Sequence, residues 1–451
     1  MSLTSLRRAA AGLACAVAAA HAFAAGTPLN IAPIKFTERV LPNGLQVITV
    51  PSNTSPTVSV QVWYHVGSKD DPQGRSGFAH LFEHLMFKST RYLKPEQFDR
   101  LTEDVGGSNN AFTSDDVTAY QNIVPSNHLE ALLWAEAERM SNLNVVEANF
   151  ISERAVVEEE YRQRVLAPPY GRLSNAIPQA TYQVHPYQRP GIGSIEDLEA
   201  AKLTDVVAFH DTHYRPDNAT LIVAGDFNAT QLDAWVDRYF ARIPRPATPL
   251  PRLVATEPAW ASDRSVNVTG PKVPLPAVVL VWLAPPVTSP DAPALQIASA
   301  LLSSGESARL NQSLVYRQRI ASSANFEADL RTGPGLLMAT AIAAGDKPLA
   351  KAQAALLAEV LRLAQQPVSA AELAKVKTQV LTGALLTRQT PEGLATAMGE
   401  AAVLGGNAAK LNTDITALQN VSAADVQRVM QRYVVGAHKV TVHYTQEGAA
   451  K

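Results

Sequence analysis

The chain has 451 residues, 46% of them apolar and 18% charged, with a formal net charge of −2; this is length for roughly two to four domains and a composition too apolar for a disordered chain. With no basic excess to neutralise phosphates, a nucleic-acid binder is disfavoured. A single cysteine, Cys15, excludes an intrachain disulfide, a cysteine-ligated zinc site and an iron–sulfur cluster.

Residues 1–25 read as an export signal. Arg7 and Arg8 form a short positive head, Ala9 to Ala20 an apolar run too short to span a bilayer, and Ala22-Phe23-Ala24 an A-x-A cleavage site, with Ala20-His21-Ala22 as a competitor. Lipidation at Cys15 is disfavoured, because Gly12-Leu13-Ala14 lacks a well-placed aliphatic residue and the apolar run continues past it. Removing the segment takes two arginines, no acid and the only cysteine, leaving a thiol-free chain of net charge −4 that suits the periplasm. No later stretch is long and apolar enough to cross a membrane, so the mature protein is expected to be soluble.

Next, Phe36–Val40 and Leu45–Val50 flank Pro42-Asn43-Gly44, a hairpin signal. Val58–Tyr64 alternates like a half-buried strand. Gly77–Lys88 is helical in pattern, with Phe78, Leu81, Leu85 and Met86 on an apolar stripe. Thr118–Val124 reads as a strand, and Leu129–Val165 as a long helical tract broken near Asn142–Asn144. Strand Leu221–Gly225 then precedes a helix over Thr230–Phe240. Five prolines between Pro244 and Pro258 stiffen the chain and mark the best domain boundary. The second half rereads the first: Ala277–Leu283 resembles Val58–Tyr64, and Asp425–Tyr433 with strand Lys439–His443 matches Asp205–Tyr214 with strand Ala219–Val223. The expected fold is therefore α+β, with two homologous domains, each a mainly antiparallel sheet packed by helices, at 31–245 and 263–447 around a linker at 246–262. The alternative is two unrelated α+β domains.

The chemistry concentrates at His80-Leu81-Phe82-Glu83-His84. On a helix, positions i and i+4 project from nearly one face, so both imidazoles stand one turn apart, prearranged as zinc ligands. Glu83 lies beside both and can hold a metal-bound water and take its proton. H-x-x-E-H is the inverse of the H-E-x-x-H zinc-peptidase signature. A site of this kind needs a third protein ligand, and the acidic run Glu153-Arg154-Ala155-Val156-Val157-Glu158-Glu159-Glu160 offers carboxylates on a helix. A merely solvated helix face is the competing reading of that run.

Taken together, these residues resemble the pitrilysin/insulinase family of zinc metallopeptidases, in its two-domain bacterial and mitochondrial-processing-peptidase-like branch. The resemblance covers nearly the whole mature chain and implies half of a clam-shell. It implies one zinc held by His80, His84 and Glu160, with Glu83 as general base and Glu153 supporting a ligand histidine. Gly106–Thr113 is similar to the family's edge-strand segment, which implies that Asn110, Ala111 and Phe112 align a peptide substrate along an added strand. The implied activity is exported zinc endopeptidase cleavage of short or unfolded polypeptides. Alternatives are a non-catalytic structural member of the family or a processing peptidase for one precursor.

One departure stands out. The family's second half carries an Arg and, seven residues later, a Tyr that bind substrate; Val315 and Ser322 occupy those positions here. Arg317 or Arg319 offers a shifted guanidinium, but Ser322 supplies no phenol. The expectation is a heterodimer in which a paralogous subunit provides the Arg/Tyr pair, with a homodimer and a shifted clamp as the rival. His210 and His213, three apart at a helix end, are expected to be structural.

Overall fold

Two sheets, each mixed but mainly antiparallel, organise the computed structural model, which describes residues 31–345 and 347–448; the export signal read at 1–25 and its cleavage site lie outside them. The first sheet contains β1 (Thr37–Val40), β2 (Gln46–Pro51), β3 (Thr57–Tyr64), β4 (Ser108–Thr113), β5 (Thr118–Pro125) and β6 (Ala219–Gly225), in the order β1-β2-β6-β3-β5-β4. The second contains β7 (Arg264–Gly270), β8 (Ala277–Ala284), β9 (Ala321–Asp329), β10 (Gly335–Ala343) and β11 (Val440–Gln446), in the order β7-β11-β8-β10-β9. Each has one parallel pair, β2 with β6 and β7 with β11, next to an antiparallel run. Without β1 the two orders correspond strand for strand, so the repeat seen in the sequence is a repeat of topology. The hairpin at Pro42-Asn43-Gly44 forms, adding β1 at the edge of the first sheet.

The helical tract breaks where the sequence placed the break, into Leu129–Asn142 and Glu147–Tyr161, followed by a π turn over Arg162–Leu166. Between helix Ala229–Tyr239 and β7, residues 244–263 carry no helix or strand. That stretch is nevertheless tied down, for the Glu257 carboxylate accepts the backbone N–H groups of Gln183, Val184 and His185 at 2.7, 3.1 and 2.9 Å.

β3 corrects its sequence reading. Its alternation suggested one solvated face, yet Ser59 and Gln61 are 0% exposed. Val58, Val60, Val62 and Tyr64 face helices of their own half. The opposite face meets helix Pro391–Gly399 of the second half, where Gln61 Nε2 donates to the Thr396 hydroxyl at 3.0 Å. Gly399 presses so closely on Trp63 that a Cβ there would stand 2.2 Å from the indole. The second sheet receives the same treatment from helix Gly171–Thr181 of the first half and the segment after it. Leu173, Tyr182 and Tyr187 pack on Val279, Val281 and Val442, and Tyr170 Oη donates to the Leu275 carbonyl at 2.9 Å. Each half thus covers the far face of the other's sheet. Burial on both faces explains why β6 and β8 are nearly continuous apolar runs.

Candidate metal centre

Phe78, Leu81, Phe82 and Leu85 turn one face of helix Phe78–Leu85 into the first core. That leaves His80, Glu83 and His84 on the other face, the two imidazole centroids 5.0 Å apart. Helix Glu147–Tyr161 packs alongside it and buries Phe150, Glu153 and Val157. Glu153 and Glu160, two turns apart, lie toward the histidines. Glu159 matches the solvated-face reading and pairs with Arg162, while the half-buried Glu158 pairs with Arg154 and Arg162.

Glu160 Oε2 stands 3.3 Å from His84 Nε2 and 3.6 Å from His80 Nε2. Zinc–ligand bonds of about 2.0–2.1 Å in a tetrahedron place ligand atoms roughly 3.3–3.4 Å apart, so these two separations are close to those of ligands sharing one ion. Among the described residues, His80, His84 and Glu160 are the one group of three or more His, Cys, Asp or Glu with converging ligand atoms, all within 4.8 Å of one another. His210 and His213 join no such group. Glu153 Oε2 lies 3.7 Å from His84 Nδ1, and its Oε1 binds Lys88 Nζ at 2.7 Å.

The electrostatics suit a cation. Burial holds the His80 imidazole neutral, down to about 4, outweighing the pull of Glu160. Burial also depresses His84, but Glu153 and Glu160 beside it prevail and raise it to about 9. Two carboxylates therefore favour positive charge at a point where a divalent ion would supply it. Glu83 is pushed up by burial, against Thr113 and His84.

Asn110, Ala111 and Phe112 lie on β4, the edge of the sheet, which pairs only with β5. Asn110 Oδ1 accepts the Ala111 N–H at 2.9 Å, and Phe112 packs edge-on against Trp63 with centroids 5.4 Å apart. Val315 falls in the π turn Asn311–Arg317, and Ser322 lies on β9, its hydroxyl donating to the Ile342 carbonyl at 3.3 Å.

Sequence reasoning missed the side chain that caps the helix bearing His80 and His84, Asp71. Gly77, the N-cap, takes φ 93° and crosses Gly193, φ 78°; a Cβ on Gly193 would stand 2.6 Å from the Gly77 Cα. Neither glycine can bring a capping side chain. Asp71, 3% exposed, performs that role from six and eight residues upstream, accepting the Gly77 N–H at 2.7 Å and the Ala79 N–H at 2.9 Å. Arg189 holds the loop by donating to the carbonyls of Lys69 and Asp71. Burial pushes Asp71 up to about 7 despite those donors. No local capping spacing betrays so distant an acceptor. Asp71→Ala strands two amides and is expected to lower the free energy of unfolding by about 2–4 kcal/mol. Urea denaturation with an unchanged m-value measures this, and a loss under about 1 kcal/mol would show that the cap is dispensable.

Residues 46–194 match the family described as Insulinase (Peptidase family M16), and residues 200–380 match one described as Peptidase M16 inactive domain. The chain is 35% identical over 345 residues to the zinc protease PqqE of Helicobacter pylori, a match covering 75% of this chain and 76% of that protein. It is 26% identical over 402 residues to a probable mitochondrial-processing peptidase subunit beta of Arabidopsis thaliana, covering 87% of this chain and 75% of that one. A crystal structure of a protease from Helicobacter pylori superposes with a TM-score of 0.88 at 30% identity, over 92% of this chain and 100% of the other.

Proposed function

The chain belongs to the insulinase family of zinc metallopeptidases, peptidase family M16, and on that premise we propose that His80, His84 and Glu160 hold its Zn2+ while Glu83 is the base of peptide hydrolysis. The convergence of three ligand atoms at zinc-like spacings carries the assignment. Zinc, when bound, supplies Lewis acidity, making water acidic enough to attack at neutral pH and polarising the scissile carbonyl. A Glu83 carboxylate oxygen takes the proton that the attacking water gives up and returns it to the leaving nitrogen. Glu153, beside His84 Nδ1, keeps Nε2 as the ligating atom. Glu160 Oε1 is steadied by Arg164 at 2.6 Å.

The substrate in this reading is a short or unfolded polypeptide that adds as a strand to the free edge of β4 along Asn110–Phe112, giving main-chain affinity with little sequence demand. We take 31–245 as the catalytic domain, 246–262 as the linker and 263–447 as its homologous partner domain. The signal at 1–25 would deliver the chain to the periplasm; among the described residues no helix is long and apolar enough to cross a membrane. Elemental analysis is expected to find one zinc per chain. Stripping it with a chelator is expected to abolish cleavage of a quenched peptide and restoring it to recover the activity; full activity without metal would defeat the assignment.

With Val315 and Ser322 in place of the Arg/Tyr pair, the second subunit of a heterodimer completes the site in this reading. The lone chain is expected to bind zinc yet cleave peptide at least about tenfold more slowly than with a paralogue carrying the pair, because oxyanion donors contribute at that scale or above. Equal rates with and without that paralogue would favour a homodimer. The similarity to a processing-peptidase subunit keeps maturation of a specific precursor as the second reading.

A further inference from the structure

The half of the molecule without metal ligands touches the loops that support the site through one turn, between β9 and β10. Thr332 donates its backbone N–H to Asp116 Oδ2 at 2.9 Å and its hydroxyl to Asp116 Oδ1. Arg331 pairs with Asp115 Oδ2 at 2.8 Å and with Asp329 Oδ2 at 2.6 Å, its guanidinium lying 4.9 Å from the Tyr187 ring centroid. Asp115 and Asp116 form the turn that joins β4 to β5.

The same turn binds the loop leading to the metal helix. The Ser68 hydroxyl donates to Asp115 Oδ1 at 2.7 Å, and Lys69 Nζ to Asp116 Oδ1 at 2.7 Å. The backbone N–H groups of Ser68 and Lys69 donate to the carbonyls of Ser114 and Asp115 at 3.1 and 3.2 Å. Tyr187 Oη adds a fourth donor to Asp116 at 2.6 Å. Asp116, 5% exposed, thus collects donors from three segments remote in sequence. Charge-assisted bonds in so dry a setting define geometry tightly.

β4 is hydrogen-bonded along one side only, and its last pair is Thr113 with Thr118. Beyond that pair, this turn fixes its end. A receptor strand already ordered before the peptide arrives loses less entropy on pairing. We propose, resting on the substrate reading above, that Arg331 and Thr332 are positioning residues for peptide hydrolysis. Through the Asp115–Asp116 turn they hold β4 in place beside the metal helix, so the domain without ligands sets the affinity for substrate.

The test uses the full chain, with whatever partner subunit it purifies with, as Thr332→Val and Arg331→Gln. Tyr170→Phe removes an interdomain hydrogen bond elsewhere and serves as the stability control. Amide hydrogen exchange across 113–118 and 68–69 is expected to be about tenfold faster in the first two variants and unchanged in the control. Hydrolysis of an unstructured quenched peptide is expected to show KM raised about five- to tenfold, with kcat within twofold and zinc content constant. Arg331→Lys, which keeps the charge and loses the fork, should recover part of the KM. Exchange that is unchanged, or that rises equally across β3 and β6, overturns the proposal. So does a fall in kcat or zinc content at constant KM. Failure of the metal-site reading would show separately, as zinc binding that survives His84→Ala.

Discussion

Glu83→Gln is expected to keep zinc and lose turnover, with kcat for peptide hydrolysis falling by about 10²–10⁴-fold, the range general acid–base groups supply. The amide is nearly isosteric with the carboxylate, so the helix and its core face should be undisturbed. Its oxygen still orients a water, but it cannot accept a proton at that position. Burial raises the Glu83 pKa above the usual carboxylate range, which strengthens it as a base while the nearby Thr113 and His84 keep the ionised form accessible. Glu83 is not among the convergent ligand groups, so the metal should stay. Metal content and initial rates on one preparation decide the matter: a variant within tenfold of the wild-type rate would remove Glu83 from proton transfer.

Glu160→Gln carries the second large effect. Its Oε2 approaches both imidazoles, at 3.3 and 3.6 Å, and it brings the negative charge that imidazole ligands do not supply. Zinc affinity is expected to fall by at least about a hundredfold, beyond the 10–100-fold typical of groups that only orient a ligand. Glu153→Gln, which touches the metal site only through His84, should fall inside that lower range. Glu158→Gln, whose carboxylate pairs with Arg154 and Arg162, should leave zinc affinity unchanged. Competition against a chromogenic chelator ranks the three. An order other than Glu160, Glu153, Glu158 would mean that the ion sits elsewhere.

What could be read from the sequence depended on how local the determining physics is. His80, Glu83 and His84 share one helical turn, so their spacing alone announces a shared face. Glu160 lies on another helix, and within its acidic run only the family resemblance distinguishes it from Glu158 and Glu159. Glu153 and Glu160 each follow a buried apolar residue by three positions, Phe150 and Val157, but the burial of that stripe is set by the neighbouring helix and not by the run itself. Asp71 and the Asp115–Asp116 turn were illegible, since their partners are six to more than two hundred residues away. β3 misled for the same reason: the cover for Ser59 and Gln61 is encoded beyond residue 390.

That reciprocal covering has a consequence for how the molecule is made. When the first 245 residues have been synthesised, the first sheet has all its strands, yet Ile48, Val50, Trp63, Ile222 and Ala224 still lack the lid that residues 391–411 bring. A greasy face stays open until residues 391–411 are made, inviting chaperones or misassociation. A gene cut at the proline-rich stretch would yield two polypeptides, each sticky on one side, recoverable in good yield only when co-expressed. The repeat looks like two modules on paper, but it matures as a single unit.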